Sequence, residues 1–292
     1  EPTMLLCGHM DTVTGKLAVT NKGGIITGRG AVDAKSALAA IVIAASELKE
    51  HLQRGSVIVA AVTREEADGG GIEALIESGI RPDWAIFGEP TGLNGVTIGY
   101  RGKIGVRLSI GASDSGHSSV PKTYANPIEY SSQFISYLRK DFEDGQNTCD
   151  SVTICPTKIK GGESLNVTPR KCTTYLDIRI PSRYSAESFK ELMNRKLQDF
   201  CLLRKNALAE LSFYDAVDAY QIDPGQKVVK AVVRAILEVT HNSARLTRKT
   251  GTGDLNVLHH RLGVPGVSYG PGDPRLSHTR NEYVEVEEYL KS

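Results

Sequence analysis

No apolar run in this chain approaches the roughly 20 residues that a membrane-spanning helix needs. Neither sign of charge is in excess: Lys+Arg 35 against Asp+Glu 34 leaves a net charge of +1. That balance gives no electrostatic ground for nucleic acid or a membrane surface as a partner. The first residues lack the basic and apolar regions of a secretory signal. Cysteine is sparse, scattered and odd in number (Cys7, Cys149, Cys155, Cys172, Cys201), and no C-x-x-C pair occurs. These read as reduced thiols of a cytoplasmic protein, mostly small buried hydrophobes. Internal repeats and low-complexity segments are also missing.

What remains is the composition of a soluble globular protein, 40% hydrophobic and 24% charged, and its 292 residues accommodate about two domains. The chain opens at Glu1 on a strand pattern, with no initiator methionine, and stops at Ser292 within what reads as the start of a helix. The expectation is a fragment lacking elements at both ends, including the N-terminal part of its first domain.

The first third alternates strand and helix signals. Residues 4–7, 56–62 and 84–87 read as buried strands, and 33–49 and 71–77 as helices. Apolar strands alternating with helices predict an α/β fold, a mixed and mostly parallel sheet flanked by helices. The pattern changes at about Gly99. Residues 104–110 alternate (Ile104, Val106, Leu108, Ile110), 126–142 form an amphipathic helix, and 152–159 and 172–180 read as strands. A second helix over 185–202, capped by Ser185, and a strand over 211–216 follow. Strand–helix–strand–strand–helix–strand of this size predicts a ferredoxin-like α+β module. The first style returns with a helix over 226–240, a turn and buried strand over 263–269, and a helix start over 286–290. The predicted organisation is a discontinuous domain, 1–98 and 217–292, carrying an inserted module at 99–216.

Several polar residues sit just past apolar runs. His9-x-Asp11 ends the first strand; an imidazole there can bind a metal while Asp11 accepts from its other nitrogen. As an isolated motif it reads more readily as a histidine capping a turn beside a solvated aspartate. Asp33 follows Gly28-Arg29-Gly30, where it can bridge two cations or cap the next helix. The glycines do not make a dinucleotide fingerprint, because the third glycine position holds Asp33. Glu65 and Glu66 end the strand over 56–62. Adjacent carboxylates repel unless a cation is near, although paired glutamates in a solvated turn are common. Glu89 follows the strand over 84–87, and Pro90 stops that strand. His9, Glu65, Glu66 and Glu89 therefore all lie at carboxyl ends of buried strands, where ligands of open α/β sheets bind. Nitrogen and oxygen donors without thiolate suit zinc, cobalt or manganese in a hydrolytic site.

Nine blocks, in order, resemble the acetylornithine deacetylase / succinyl-diaminopimelate desuccinylase / aminoacylase family of di-metal amidohydrolases. They are GHMDTV (8–13), GRGAVDAKS (28–36), TREEADGGG (63–71), FGEPTG (87–92), GHSS (116–119), GGESLNVTP (161–169), DIRIP (177–181), RKTGTGDLNVL (248–258) and YGPGDPRLSHTRNE (269–282). The resemblance implies a zinc-peptidase-like catalytic domain and makes the inserted module a lid and dimerisation domain. It implies that His9 and Glu89 ligate one divalent cation, Glu66 and His278 the other, and that Asp33 bridges them. Zn2+ is the expected ion, with Co2+ or Mn2+ as substitutes. Glu65 becomes the general base and Asp11 the residue orienting His9. His117 becomes a lid histidine that crosses a homodimer interface to hold the oxyanion. Asn166, Arg179, Gly251 and Thr252 match substrate contacts.

Within that family the chain is most similar to the amino-group carrier protein lysine/ornithine hydrolases, which free lysine or ornithine from a carrier protein's terminal glutamate. Deacetylation of acetylornithine or acetyl-lysine, desuccinylation and general aminoacylase or dipeptidase activity are the alternatives. A basic cluster (Arg101, Lys103, Arg245, Arg248, Lys249) is a candidate dock for an acidic carrier, or a solvated face. One departure is Ser36-Ala37 in place of a glycine pair that many relatives carry, which bears on helix packing rather than chemistry. A serine hydrolase is a poor rival, since G-x-S-x-G fails at Ser115. A non-catalytic binding relative should have lost a ligand or the base, and none is lost.

Overall fold

Parallel strands need a crossover of a dozen or more residues, and this chain supplies helices of that size between its apolar runs. The structure, a computed structural model, describes residues 1–204 and 207–292. In order it forms β1 (Thr3–His9), β2 (Thr20–Lys22), β3 (Ile25–Thr27), α1 (Lys35–Leu48), β4 (Ser56–Val62), α2 (Gly70–Glu77), β5 (Trp84–Gly88) and β6 (Gly95–Tyr100). Then come β7 (Gly102–Ala112), α3 (Pro127–Phe142), β8 (Thr153–Gly161), β9 (Lys171–Ile180), α4 (Ala186–Leu202) and β10 (Ala207–Val217). The chain closes with β11 (Tyr220–Gln221), α5 (Lys227–Thr240), β12 (Arg245–Lys249), α6 (Asp254–Leu262), β13 (Gly266–Tyr269), β14 (Tyr283–Glu285) and α7 (Val286–Lys291).

Two compact units result: residues 1–100, 220–249 and 253–292, and residues 101–219 with 250–252. The boundaries lie at 100/101 and 219/220 rather than 98/99 and 216/217, because β6 and β11 pair with each other in the first unit's sheet through Tyr220 and Tyr100.

The first unit is built on a mixed sheet of order β11-β6-β13-β5-β1-β4, with β12 also paired to β6. β4, β1, β5 and β13 run parallel to one another. β13 and β11 lie antiparallel to β6. Leu5, Cys7, Ala85, Val96, Val267 and Leu258 form its buried core with Val228, Val229 and Ile236 of α5. Helix α1 approaches the sheet very closely. A Cβ on Gly88 would come 2.7 Å from Ile41 Cδ1, and one on Gly270 2.7 Å from Ala37 Cβ. Ala37 is 2% exposed, so the small residue at this departure from the family pattern sits where helix and strand ends touch. A small separate sheet, β14-β3-β2, completes the unit.

The second unit is an antiparallel sheet of order β10-β7-β9-β8, the ferredoxin-like arrangement expected from its strand–helix–strand–strand–helix–strand order. Ile104, Val106, Leu108 and Ile110 of β7 are fully buried, as their alternation requires, against Phe134 and Leu138 of α3 and Phe189 and Met193 of α4. Asn126 caps α3 by accepting from Ile128 and Glu129, and Ser185 caps α4 by accepting from Ser188 N at 3.1 Å.

Seven elements escape the sequence reading: the short strands β2, β3, β11 and β14, and the longer β6, β12 and α6. β6 is buried at all six positions, but Gly99 interrupts its apolar run. β12 (RLTRK) is dense in charge and reads as a surface patch. α6 follows a glycine-rich stretch that reads as a loop. Of the cysteines, Cys7 and Cys172 are buried, Cys149 and Cys201 half-buried and Cys155 exposed, so burial holds for fewer than expected. Among the described residues no helix is long and apolar enough to cross a membrane.

The contact of α1 with Gly88 and Gly270 generates a test. Ala37→Leu inserts bulk where no space exists and should destabilise the protein by about 1–3 kcal/mol. Urea denaturation of this variant beside the parent measures the loss; an unchanged midpoint would contradict the packing described.

Candidate metal centre and active site

β1 lies between β4 and β5 and is parallel to both, so the three strands deliver their last residues to one edge of the sheet. His9 ends β1 opposite Val62, and Cys7 of β1 lies opposite Phe87. Glu65 and Glu66 follow β4, and Glu89 follows β5. Between β4 and this pair the backbone turns at Arg64, which adopts φ 67°. The turn is held by Asp11: its Oδ1 accepts from Glu65 N at 3.3 Å and its Oδ2 from Glu66 N at 3.2 Å.

His9 is 2% exposed, and its Nδ1 donates to the backbone carbonyl of Asp11 at 3.0 Å. That bond directs Nε2 into the cluster. The sequence suggests the Asp11 carboxylate for this job, but the carboxylate stands 3.7 Å from Nδ1 and serves the Glu65–Glu66 turn instead. Asp11 thus orients the histidine with its main chain and two carboxylates with its side chain.

Asp33 does not cap α1; Ala34 occupies that position, with no side-chain capping bond, and the Asp33–Ala34 peptide is cis. Its carboxylate lies between two imidazoles. Oδ1 is 3.2 Å from His9 Nε2 and Oδ2 is 3.3 Å from His278 Nε2. Glu89 Oε1 lies 3.9 Å from His9 Nε2, on one side of Asp33. Glu66 Oε1 lies 2.8 Å from His278 Nε2, on the other. Ligand atoms of His9, Asp33 and Glu66 all fall within 4.8 Å of one another. His278 reaches in from a backbone with φ 63°.

The electrostatics show what this cluster needs. Burial, then the charges of Glu89 and Asp254, push the Glu65 carboxyl up to about 9. Burial likewise raises Glu66 and Glu89 above the usual carboxylate range, with Asp33 adding to both. Burial alone would depress His9, but the hydrogen bond to Asp33 and the charges of Glu89 and Glu65 outweigh it and hold the imidazole up to about 10. For Asp33 the His9 contact overcomes burial and lowers the carboxyl. Surplus negative charge in a buried place, with nitrogen and oxygen donors, fits divalent cations.

Three further positions adjoin the cluster; Asp254 and Glu282 were not singled out from the sequence, and Lys249 was read there only as part of a basic patch. Asp254, at the start of α6, is 7% exposed and pushed up to about 7 by burial and Glu89. Lys249 Nζ lies 3.5 Å from Glu89 Oε2, inside the cluster rather than on a docking face. Glu282 is 2% exposed and bonds the loop that carries Asp33. The signal that could have found all three is their place inside the motif blocks 248–258 and 269–282. The proposed basic patch also loses Arg101, which is 4% exposed and donates to Thr250 O at 2.8 Å and Ser151 O at 3.1 Å. Lys103 pairs with Asp215.

The remaining candidates belong to the second unit. His117 is exposed, and its Nδ1 lies 2.8 Å from Ser119 Oγ. Its loop is zipped to the Asn166 loop by Ser118 N donating to Asn166 O at 3.0 Å and by a bridge between His117 and Val167. Arg179 Nε donates to Asp177 Oδ1 at 2.7 Å and its Nη1 to Thr252 Oγ1 at 3.0 Å. Thr252 in turn donates to Arg101 O at 2.8 Å. Arg179 thus already carries a carboxylate partner and fastens residues 250–252 to its sheet, while no atom lies within 4 Å of where a Gly251 side chain would begin. The serine rival gains nothing, since Ser115 Oγ accepts from Arg170 Nε at 3.0 Å rather than facing an imidazole.

Comparison with known proteins identifies the family. A LysW-lysine/LysW-ornithine hydrolase of Sulfurisphaera tokodaii is 31% identical over 285 residues, spanning 98% of this chain and 77% of that protein. A tripeptidase of Staphylococcus aureus superposes with TM-score 0.83 at 20% identity, covering 99% of this chain and 78% of that one. A Bacillus subtilis protein described as a dinuclear metal binding peptidase gives TM-score 0.76 at 15% identity, over 99% of this chain and 78% of that one. The model of peptidase family M20/M25/M40 matches residues 5–292, so the chain belongs to that family and is a metal-dependent amide hydrolase.

Proposed function

We propose that this chain releases lysine, ornithine or both from the terminal glutamate of an acidic amino-group carrier protein, in cytoplasmic lysine and arginine biosynthesis. The observation that carries the reading is the similarity along 98% of the chain to the S. tokodaii LysW-lysine/LysW-ornithine hydrolase. His9 and Glu89 would hold one divalent cation and Glu66 and His278 a second, with Asp33 serving both; Zn2+ suits these donors, and Co2+ or Mn2+ would substitute. When bound, the ions polarise the scissile carbonyl and acidify the attacking water.

The chain's own residues do the rest. Glu65 takes a proton from the water as its oxygen bonds to the carbonyl carbon. It then gives that proton to the amine nitrogen as the C–N bond breaks. Its buried, carboxylate-rich surroundings favour holding the proton between the two transfers. Asp11 keeps both His9 and the Glu65–Glu66 turn in place. His117, supplied by the partner of a homodimer, donates to the developing oxyanion. Asn166, Gly251 and Thr252 contact the substrate, and Arg179 acts on it through Thr252.

Three outcomes follow. Glu65→Gln should lower kcat by about 10²–10⁴-fold while elemental analysis still finds metal bound; substantial residual turnover would remove Glu65 from its role. His117→Ala should reduce kcat by roughly 10²–10³-fold with much less effect on KM. Mixing it with Glu65→Gln should recover part of the activity, since one hybrid site then has both residues; no recovery would argue against exchange between subunits. Finally, the metal-loaded enzyme should hydrolyse carrier protein bearing lysine or ornithine in strong preference to free acetyl-lysine or acetylornithine. Equal turnover of the acetylated amino acids would make it an ordinary deacetylase.

A further inference from the structure

Glu282 has no place in the chemistry above, yet it is among the most constrained side chains in the first unit. It is 2% exposed. One carboxylate oxygen, Oε1, accepts three backbone N–H groups, from Gly30 at 2.8 Å, Val32 at 3.1 Å and Asp33 at 3.1 Å. The other, Oε2, accepts from Arg29 Nη1 at 2.8 Å. The Glu282 carbonyl also accepts from Gly28 N at 3.3 Å. The loop curls around this anion with Gly28 at φ 148° and Gly30 at φ 86°, conformations that side chains resist. A Cβ on Gly30 would come 2.9 Å from Thr12 Cγ2. The loop is therefore wrapped on the carboxylate and closed against its neighbour.

What the loop delivers is Asp33. Its carboxylate stands between His9 and His278, and its own N–H is one of the three that Glu282 receives. His278 lies on the same short segment as Glu282. A single buried carboxylate thus ties the turn segment that carries His278 to the loop that ends in Asp33. Charge-assisted bonds of this kind are stronger than neutral ones. Arg29 compensates the charge, so Glu282 adds little to the negative field of the cluster.

We propose that Glu282 is a positioning residue, which fixes the Asp33 carboxylate between the two cation positions by holding the Gly28–Asp33 loop through its peptide N–H groups. The inference rests on the reading of Asp33 as the shared ligand. Glutamine at 282 keeps the volume but loses the charge, and its amide N–H₂ faces the Arg29 guanidinium, donor against donor. Comparable supporting contacts to metal ligands change affinity by about 10–100-fold.

The test is calorimetric titration of Zn2+ into metal-free parent and metal-free Glu282→Gln, with kcat and KM of each reloaded protein and a urea midpoint. Glu282→Gln is expected to bind at least one ion about 10–100-fold more weakly, and to lose kcat with little change in KM. Parental affinity for both ions, with or without a lowered urea midpoint, would show an ordinary structural brace and overturn the proposal. If the parent itself takes up no second ion, the shared-ligand reading fails first and the proposal with it. Should Glu282→Gln not fold, Glu282→Asp retains the charge but draws it back from the loop by one methylene. The same loss of affinity is expected there, and parental affinity would again overturn the assignment.

Discussion

Carboxylates crowded into one buried cluster repel one another, and that repulsion organises the catalytic unit. Glu65, Glu66, Glu89 and Asp254 are all held above their ordinary range by burial and then by neighbouring carboxylates, Asp33 in the case of Glu66 and Glu89. Two imidazoles and Lys249 offset part of the charge. A protein tolerates such an arrangement when bound cations complete it, because burial of uncompensated charge costs several kcal/mol per group. The same surplus that opposes the metal-free fold therefore favours metal uptake, and metal binding and folding stability are linked.

The scaffold answers this repulsion with rigidity. Three parallel strands bring His9, the Glu65–Glu66 turn and Glu89 to one edge. Each approach is then braced by backbone bonds rather than by the reacting groups themselves. Asp11 receives the N–H groups of Glu65 and Glu66. Glu282 receives those of Gly30, Val32 and Asp33. Helix α1 presses directly on the strand ends through Ala37, Gly88 and Gly270, which leaves the ligand loops no slack. Positions with left-handed backbone, Arg64 and His278, occur where the chain must turn sharply into the cluster.

How much of this could be read in advance depends on the signal each residue carries. β7 was legible because Ile104, Val106, Leu108 and Ile110 alternate without interruption, and all four are buried. β6 was not, because glycine at 99 breaks the run and the strand merges into β7 across Tyr100–Gly102. β12 was hidden by its charges, three of five residues, although it pairs along the sheet. In the site, residues just past apolar runs stood out: His9, Glu65, Glu66 and Glu89. His278 stands after no such run and rested on motif resemblance alone. Lys249 and Arg101 were misplaced because charge clusters usually face solvent, whereas these two meet buried acceptors.

Local pattern decides what local physics decides. Periodicity set the alternation of strands and helices and the ferredoxin-like order of the inserted module, and residue type set the cap at Ser185. Residue type at strand ends set the chemical class, because nitrogen and oxygen donors without thiolates admit only certain ions. Tertiary structure alone decided which groups meet. Asp33 faces His278 across more than two hundred residues of chain, and Glu282 grips Gly30 across 252. Such pairs leave no periodic trace, since their proximity follows from sheet order and loop wrapping and not from sequence distance. The division of labour within Asp11, main chain to His9 and side chain to the glutamate turn, is likewise a matter of angles that only the folded chain defines.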